Sequence, residues 1–301
     1  MAQVSTYWSS LPLGVLAARG ADARRFLQGQ LSADVLGLDA TRLRWAGLHN
    51  PQGRALGLLR LVADAADVLA LVPADMVQPL LGTLRRYVLR AKVTLADESA
   101  NWRVHGAQAS LAEARTAWPS ARVVEWSPDT TRCVILERID PGAATDDGSG
   151  GPSGAAAAPA ASWHRLDVAA GLPQVYPATS GEFVAQMLNL DVVGGIAFDK
   201  GCYTGQEIIA RAHYRGRMKR RMQRFAAPHA RAADWPPGQR GRLPDGRHFE
   251  IVDSADVDSA GCELLAVTHV GEASAETAER TDVALPVCAD AAPLGLPYAL
   301  P

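Results

Sequence analysis

The sequence predicts an α+β protein in three parts, two α+β lobes followed by a small all-β domain, on three observations. The chain has 301 residues, too many for one simple core. Through its first two thirds, short apolar runs alternate with stretches whose apolar residues recur at helical spacing. From Met222 onward only short apolar runs remain, at 249–252, 262–270 and 294–299, separated by Pro, Gly and Asp clusters. That is the pattern of a small β-barrel. The expected boundaries are 1–98 for the first lobe, 99–218 for the second and 219–301 for the barrel.

The first lobe opens with a strand at 13–18, turned by Gly20 into a short helix for which Asp22 is the candidate N-cap. Phe26, Leu27, Gln30 and Leu31 form its inward stripe. Strands at 43–48 and 54–62 flank the turn Asn50-Pro51-Gln52-Gly53, and a further strand covers 68–72. Pro73-Ala74-Asp75 then opens a helix with Val77, Leu80, Leu81, Leu84 and Val88 on one face. Pro79, near its start, weakens the first turns without breaking them.

The second lobe begins near Ala100 with a strand at 102–105, then Gly106-Ala107-Gln108-Ala109 and a helix running to Trp118. The first lobe has Gly20-Ala21-Asp22-Ala23 in the equivalent place, so the same small-residue turn recurs after about 86 residues, as an ancient duplication would leave it. Strands follow at 121–126 and 132–138. Residues 140–161 are Gly, Ser, Pro and Ala in the main and have little to bury, which predicts a flexible surface insertion without chemistry. A strand is expected at 163–168. Thr179, with Glu182 three residues on, then reads as a capping box for a helix through Phe183, Val184, Met187 and Leu188. Ala210, Ala212 and Tyr214 alternate with Arg211, His213 and Arg215, the period of a half-buried strand.

Composition narrows the function. Apolar residues make up 48% and charged residues 21% of the chain, with a net charge of −2, so nothing draws the whole protein toward nucleic acid or an anionic membrane. The N-terminus lacks the basic and apolar regions of a signal peptide, and no run approaches a membrane span. The four cysteines, Cys133, Cys202, Cys262 and Cys288, lie far apart without a Cys-x-x-Cys pair. This is reduced, cytoplasmic usage, and it argues against a resident metal or iron–sulfur centre.

The chemistry concentrates in Asp199-Lys200-Gly201-Cys202-Tyr203-Thr204-Gly205-Gln206-Glu207. Gly201 and Gly205 are positions where the backbone is free to take positive φ and approach a ligand. Lys200, two residues before Cys202, is placed to raise the thiolate fraction of that cysteine. The alternative is a glycine turn whose cysteine merely packs. Downstream, Arg211, Arg215, Arg217, Lys219, Arg220, Arg221 and Arg224 crowd a stretch without an acidic residue. They read either as a solvated face or as an anion site, for a polyglutamate tail or for RNA phosphates.

Together with Asn189-Leu190, Gly195-Ile196, Ala210-Arg211 and Arg215-Gly216, the Lys200 to Glu207 stretch resembles the YgfZ family of folate-binding proteins, relatives of the aminomethyltransferase (T-protein) of the glycine cleavage system. The resemblance covers 183–217 closely and the N-terminal hundred residues more loosely. It implies two lobes and a barrel arranged as a ring around a central channel that takes a tetrahydrofolate, polyglutamylated or not. It implies Cys202 and Lys200 as the reactive pair. It also implies Gln186, Asn189, Gly201, Tyr203, Gly205, Gln206, Glu207, Arg211 and Arg215 as the folate-holding set. Family members commonly carry a proline where this chain has Ala185, a departure that loosens one turn.

Three functions follow. The first is a folate-binding accessory factor whose cysteine serves the assembly or repair of iron–sulfur client enzymes, including tRNA-modifying ones. The second is a folate-dependent aminomethyltransferase, a one-carbon transferase. Against it, Leu80 falls where the T-protein carries its folate-linked aspartate, and a leucine carries neither charge nor proton. The third, an RNA-binding module, rests on the basic run alone. No RNA-binding signature accompanies it, so direct nucleic-acid binding is not expected.

Overall fold

The computed structural model describes residues 7–126, 131–139, 156–216, 218–257, 261–271 and 285–301. The first half runs β1 (Tyr7–Ser10), β2 (Leu13–Arg19), α1 (Ala23–Gln28), β3 (Arg44–His49), β4 (Ala55–Asp64), β5 (Asp67–Pro73), α2 (Val77–Arg85) and β6 (Thr94–Asp97). Then come β7 (Trp102–Gln108), α3 (Leu111–Ala117), β8 (Arg122–Glu125), β9 (Arg132–Arg138), β10 (Ala156–Ala157) and α4 (Ala160–Ala169). The remainder is α5 (Gln206–Arg215), β11 (Arg220–Ala227), β12 (Arg240–Arg242), β13 (His248–Asp256), β14 (Cys262–His269) and β15 (Ala292–Leu294). The strands form three five-stranded sheets, ordered β3-β4-β5-β2-β6, β10-β1-β7-β9-β8 and β12-β13-β14-β11-β15. β1 joins the second of these, pairing antiparallel with β7.

Two compact units emerge: Met1–Leu48, Leu58–Trp163 and Gly194–Tyr203 form one, and His49–Gly57, His164–Val193 and Thr204–Pro301 the other. In the first unit, β2 and β5 are buried almost throughout because helices cover one face of their sheet. Val77, Leu80, Leu81 and Leu84 of α2 supply the covering stripe, and Pro79 is accommodated in its first turn. The helix ends at Arg85, so Val88 lies beyond the predicted stripe.

The second sheet of this unit borders a stack of rings and guanidinium groups. Trp126 meets Trp45 and Trp163 edge-on at centroid distances of 6.2 and 5.2 Å. Buried Arg60 lies 4.5 Å from the Trp45 ring and 4.9 Å from Trp126, and buried Arg132 lies 4.8 Å from Trp163. Gly106 is small because a Cβ there would come within 2.4 Å of Trp163. Gly106 is therefore strand, inside β7, whereas Gly20 (φ 118) is a true turn. The two recurring tetrapeptides are not structural equivalents.

In the second unit, Phe225, Phe249, Ile251 and Leu264 of the third sheet form one core cluster with Trp235. Both edges of this sheet meet the same late segment: β15 pairs with β11, and just before β15 Val287 bridges Arg242 of β12, with the Arg242 N–H donating to the Pro286 carbonyl at 2.9 Å and the Cys288 N–H to the Arg242 carbonyl at 3.0 Å. By its named strands alone the sheet is five-stranded and not a continuously paired closed barrel. Its last strand is Ala292–Leu294 rather than 294–299.

Three local expectations change. Residues 163–168 belong to helix α4, not a strand. The capping-box helix at 179–188 is instead two 3-10 turns, Pro177–Thr179 and Ala185–Leu188, with Thr179 Oγ1 used by the Tyr176 backbone N–H. The alternating stretch 210–215 is helical, part of α5. Only Ile209 is buried along α5, so the period-two pattern never met a sheet that would have enforced it. Asp22 stands at the N-cap of α1, yet its carboxylate accepts from the Lys92 backbone N–H. Most of the insertion expected at 140–161 lies outside the described residues; its end supplies β10 and the start of α4.

Candidate functional site

Helix α1 ends with carbonyl groups that no intrahelical N–H can reach. The Lys200 ammonium satisfies that end, donating to the Gln28 and Leu31 carbonyls at 2.5 Å each, a favourable place for a cation on the helix dipole. The same bend is tightened by Gln28 Oε1, which accepts from the Val35 backbone N–H at 2.6 Å. Ser32 then ties in the approach to the motif, donating to the Gly195 carbonyl at 2.6 Å and accepting from the Gly47 N–H at 2.8 Å. The Ala197 N–H donates to the Ser32 carbonyl at 2.9 Å. Segment 194–203 is thus held to the loop after α1 by bonds that no local pattern announces.

Tyr203 is the second anchor. It is 7% exposed, its ring centroid lies 4.7 Å from Lys200 Nζ, and burial pushes its phenol up to about 12. Burial pushes the Lys200 ammonium down to about 8, with Asp34 opposing that shift. Between these two inward residues, Gly201 and Cys202 are exposed. The fold therefore presents the thiol by pinning the residues on either side of it. The sequence suggested Lys200 as partner of the thiol; its ammonium is bonded instead to the Gln28 and Leu31 carbonyls. The other cysteines are buried, and burial pushes Cys133 and Cys262 up to about 11 and raises Cys288 as well.

In the second unit the chain turns into α5 at Gly205, which is left-handed at φ 82. A Cβ there would lie 2.6 Å from the Asn50 carbonyl and 3.0 Å from Gly53 Cα. Gly205 thus fulfils the expectation of a glycine-only backbone. Gly201 does not, since its φ is not positive and an added Cβ would meet nothing within 4 Å. Gln206 is half-buried in the first turn of α5 and Glu207 is exposed. Arg211 and Arg215 follow at four-residue spacing, exposed on the face of Glu207.

Gln186 and Asn189 are 1% and 0% exposed and face inward. Gln186 Nε2 donates to the Ile209 carbonyl of α5 at 2.6 Å. Asn189 adopts the left-handed conformation at φ 56, donates to the Met222 carbonyl at 2.9 Å and accepts from Arg221 at 3.2 Å. The basic run therefore divides. Arg221 is buried in a bidentate pair with Asp191 at 2.8 and 3.0 Å, and Arg224 pairs with Glu263 at 2.7 Å. Arg211, Arg215 and Lys219 remain exposed, while Arg217 lies outside the described residues. Sequence reasoning missed Arg221 as an internal residue because its acid is 30 positions upstream.

Comparison with known proteins adds the following. The chain is 31% identical over 264 residues to proteins named tRNA-modifying protein YgfZ from Shigella boydii and Escherichia coli, spanning 82% of this chain and 77% of each relative. The chain belongs to the YgfZ family. No family model matches it. The YgfZ fold here is like that of the glycine cleavage system aminomethyltransferase T from Bartonella henselae, with a TM-score of 0.66, 15% identity and coverage of 88% of this chain and 78% of that one. At that identity the likeness is one of fold. No helix among the described residues of this YgfZ member is long and apolar enough to cross a membrane.

Proposed function

We propose that this YgfZ-family chain is a cytoplasmic folate-binding factor whose Cys202 thiol serves iron–sulfur client enzymes, tRNA-modifying ones among them. One observation carries the reading: Cys202 is the exposed cysteine, held out between half-buried Lys200 and buried Tyr203, while Cys133, Cys262 and Cys288 are packed away. The name of the relatives, tRNA-modifying protein, supports the client class.

The residues present fit a tetrahydrofolate in kind. The Glu207 carboxylate, exposed in the first turn of α5, is an acceptor for the N–H-rich edge of a reduced pterin. Arg211 and Arg215, on the same face and about 12 Å along the axis at the farther one, suit the carboxylates of the glutamate tail. Gly201, Tyr203, Gly205 and Gln206 shape the loop. Gln186 and Asn189 support it through backbone bonds. The bound folate would supply one-carbon and reducing chemistry, and the protein would supply its orientation. The closed ring with a central channel remains part of this proposal.

An aminomethyltransferase is disfavoured because Leu80, 1% exposed in the core, has no proton to give or take. Purification without harsh desalting, followed by absorbance and mass analysis, and titration of tetrahydrofolate into wild type and Glu207→Gln are the tests. The expected result is saturable binding, weakened at least about tenfold in E207Q by loss of a charged acceptor, with no glycine-cleavage turnover when the partner proteins are supplied. Equal binding by wild type and E207Q, or turnover well above background, overturns the assignment.

A further inference from the structure

The outward side of α2 and the turn that follows it, residues 78–92, form a surface of the first unit that its own packing does not explain. Three features meet there.

The first is an exposed helical glycine. Pro79, Gly82, Thr83 and Arg86 recur at i, i+3, i+4 and i+7, opposite the buried stripe of Val77, Leu80, Leu81 and Leu84. Gly82 is not in the left-handed region, and a Cβ there would meet nothing within 4 Å. Glycine is a poor helix former, and no turn or close contact among the described residues requires it here. What it does permit is close approach of a backbone from outside.

The second is an apolar tip on a fixed turn. Tyr87 is 44% and Leu89 87% exposed. The turn that carries them is pinned at both ends. The Tyr87 N–H donates to the Leu84 carbonyl at 3.0 Å, the Lys92 N–H donates to the Asp22 carboxylate at 2.7 Å, and the Lys92 carbonyl accepts from the Asp22 N–H at 3.2 Å. A turn held this way loses little entropy on docking.

The third is unopposed positive charge. From 76 to 96 the chain has no acidic residue, while Arg85, Arg86, Arg90 and Lys92 are exposed. Arg85 donates to the Leu95 carbonyl at 2.9 Å and Arg86 to Thr83 Oγ1 at 3.3 Å, and none of the four forms an ion pair with a described acid.

We propose that this face is a docking surface for an acidic protein. Its partner's backbone lies along α2 at Gly82, and an apolar socket rimmed by carboxylates takes Tyr87 and Leu89 between the arginines. Tyrosine and arginine are the residues that protein interfaces enrich and that carry most of their energy. An RNA reads flat rings and cations and has no complement for Leu89, and one tyrosine with one leucine is little apolar area for a bilayer. No residue of the Lys200 motif or of α5 takes part, so this surface stands apart from the folate reading.

The test begins with the full chain carrying Tyr87→p-benzoylphenylalanine, irradiated in its native host, with Leu36→p-benzoylphenylalanine, at a site 57% exposed in the same unit, as control. The protein joined at position 87 and not at 36 is identified by mass, purified and titrated against the wild-type chain. Saturable binding is expected, from a partner rich in surface Asp and Glu. Arg86→Glu combined with Arg90→Glu should weaken it at least about tenfold by setting like charges face to face, with a smaller difference at high salt. Gly82→Gln places a good helix former in open space, so it should keep or raise Tm while weakening binding at least about tenfold. That opposition separates a docking role from a structural one. The proposal is overturned by absence of an adduct specific to position 87, by failure of the purified pair to bind, or by wild-type affinity in the charge-reversed or G82Q chain. Saturable binding of bulk tRNA or of phosphatidylserine vesicles that the same variants abolish overturns it in favour of those surfaces.

Discussion

The Lys200 ammonium donates to the Leu31 carbonyl across 169 residues of sequence, and this bond, with its companion to Gln28, makes the motif lysine an anchor of the loop that bears Cys202. Removing it should loosen that loop. Lys200→Met is expected to cost about 2–3 kcal/mol, the scale of hydrogen bonds from a charged donor. The sign of its pH dependence is fixed by burial, which pushes Lys200 down to about 8. Between that value and about 10.4, the unfolded chain holds the proton more firmly than the folded one, so this residue's contribution to stability grows as pH rises. Denaturant titrations from pH 7 to 10.5 should show the difference between wild type and K200M widening; a constant difference counts against buried titration of Lys200.

Thiol labelling of the native protein should be fastest at Cys202, because it is exposed while Cys133, Cys262 and Cys288 are buried with raised pKa values. Peptide mass analysis after brief alkylation reads this directly. Comparable labelling of Cys262 under native conditions would contradict the burial of that core.

The two motif glycines should respond differently to alanine. Gly205→Ala must hold a non-glycine residue at φ 82 with its Cβ 2.6 Å from the Asn50 carbonyl, a loss of about 1–3 kcal/mol or more. Gly201→Ala meets open space and should stay within about 0.5 kcal/mol. Thermal melts of both variants decide the matter, and equal effects would refute the backbone argument.

Asp191→Ala leaves the buried Arg221 guanidinium without its carboxylate, which typically costs about 3–5 kcal/mol. Arg211→Ala and Arg215→Ala, exposed on α5, should change stability by no more than about 0.5 kcal/mol while weakening binding of a polyglutamyl folate more at low than at high salt. Salt-independent effects would mean that these arginines act otherwise than as an anion strip.

Acid should weaken the first unit through Glu98. The Arg19 guanidinium bonds Glu98 at 2.6 and 2.7 Å and holds its carboxyl below the usual range, with Asp64 and Asp67 also on Arg19. A lowered carboxyl contributes stability that is present above its unfolded pKa and lost as pH falls through the folded one. Wild type should therefore lose more stability than Glu98→Gln between about pH 5 and 3; parallel losses would show the ion pair to be inert.

The sequence by itself determined what local pattern can carry. The apolar periods of β2, β4, β5 and α2 named their elements because each is buried along a continuous face. The dense motif at 199–207 named the family and singled out Cys202 among the four cysteines. Tertiary structure decided the rest. Residues 210–215 alternate like a strand, yet Gly205, turned left-handed against Asn50 and Gly53, starts a helix that runs through them, and a six-residue pattern fits either period until a neighbour selects one. Gly106 looked like the turn at Gly20 until Trp163 packed against it as strand. Lys200 looked like the servant of a thiol two residues away, and Arg221 like one more surface cation. Their carbonyl and carboxylate partners come from distant sequence, and such pairings arise only when the folded chain brings those groups within hydrogen-bond reach.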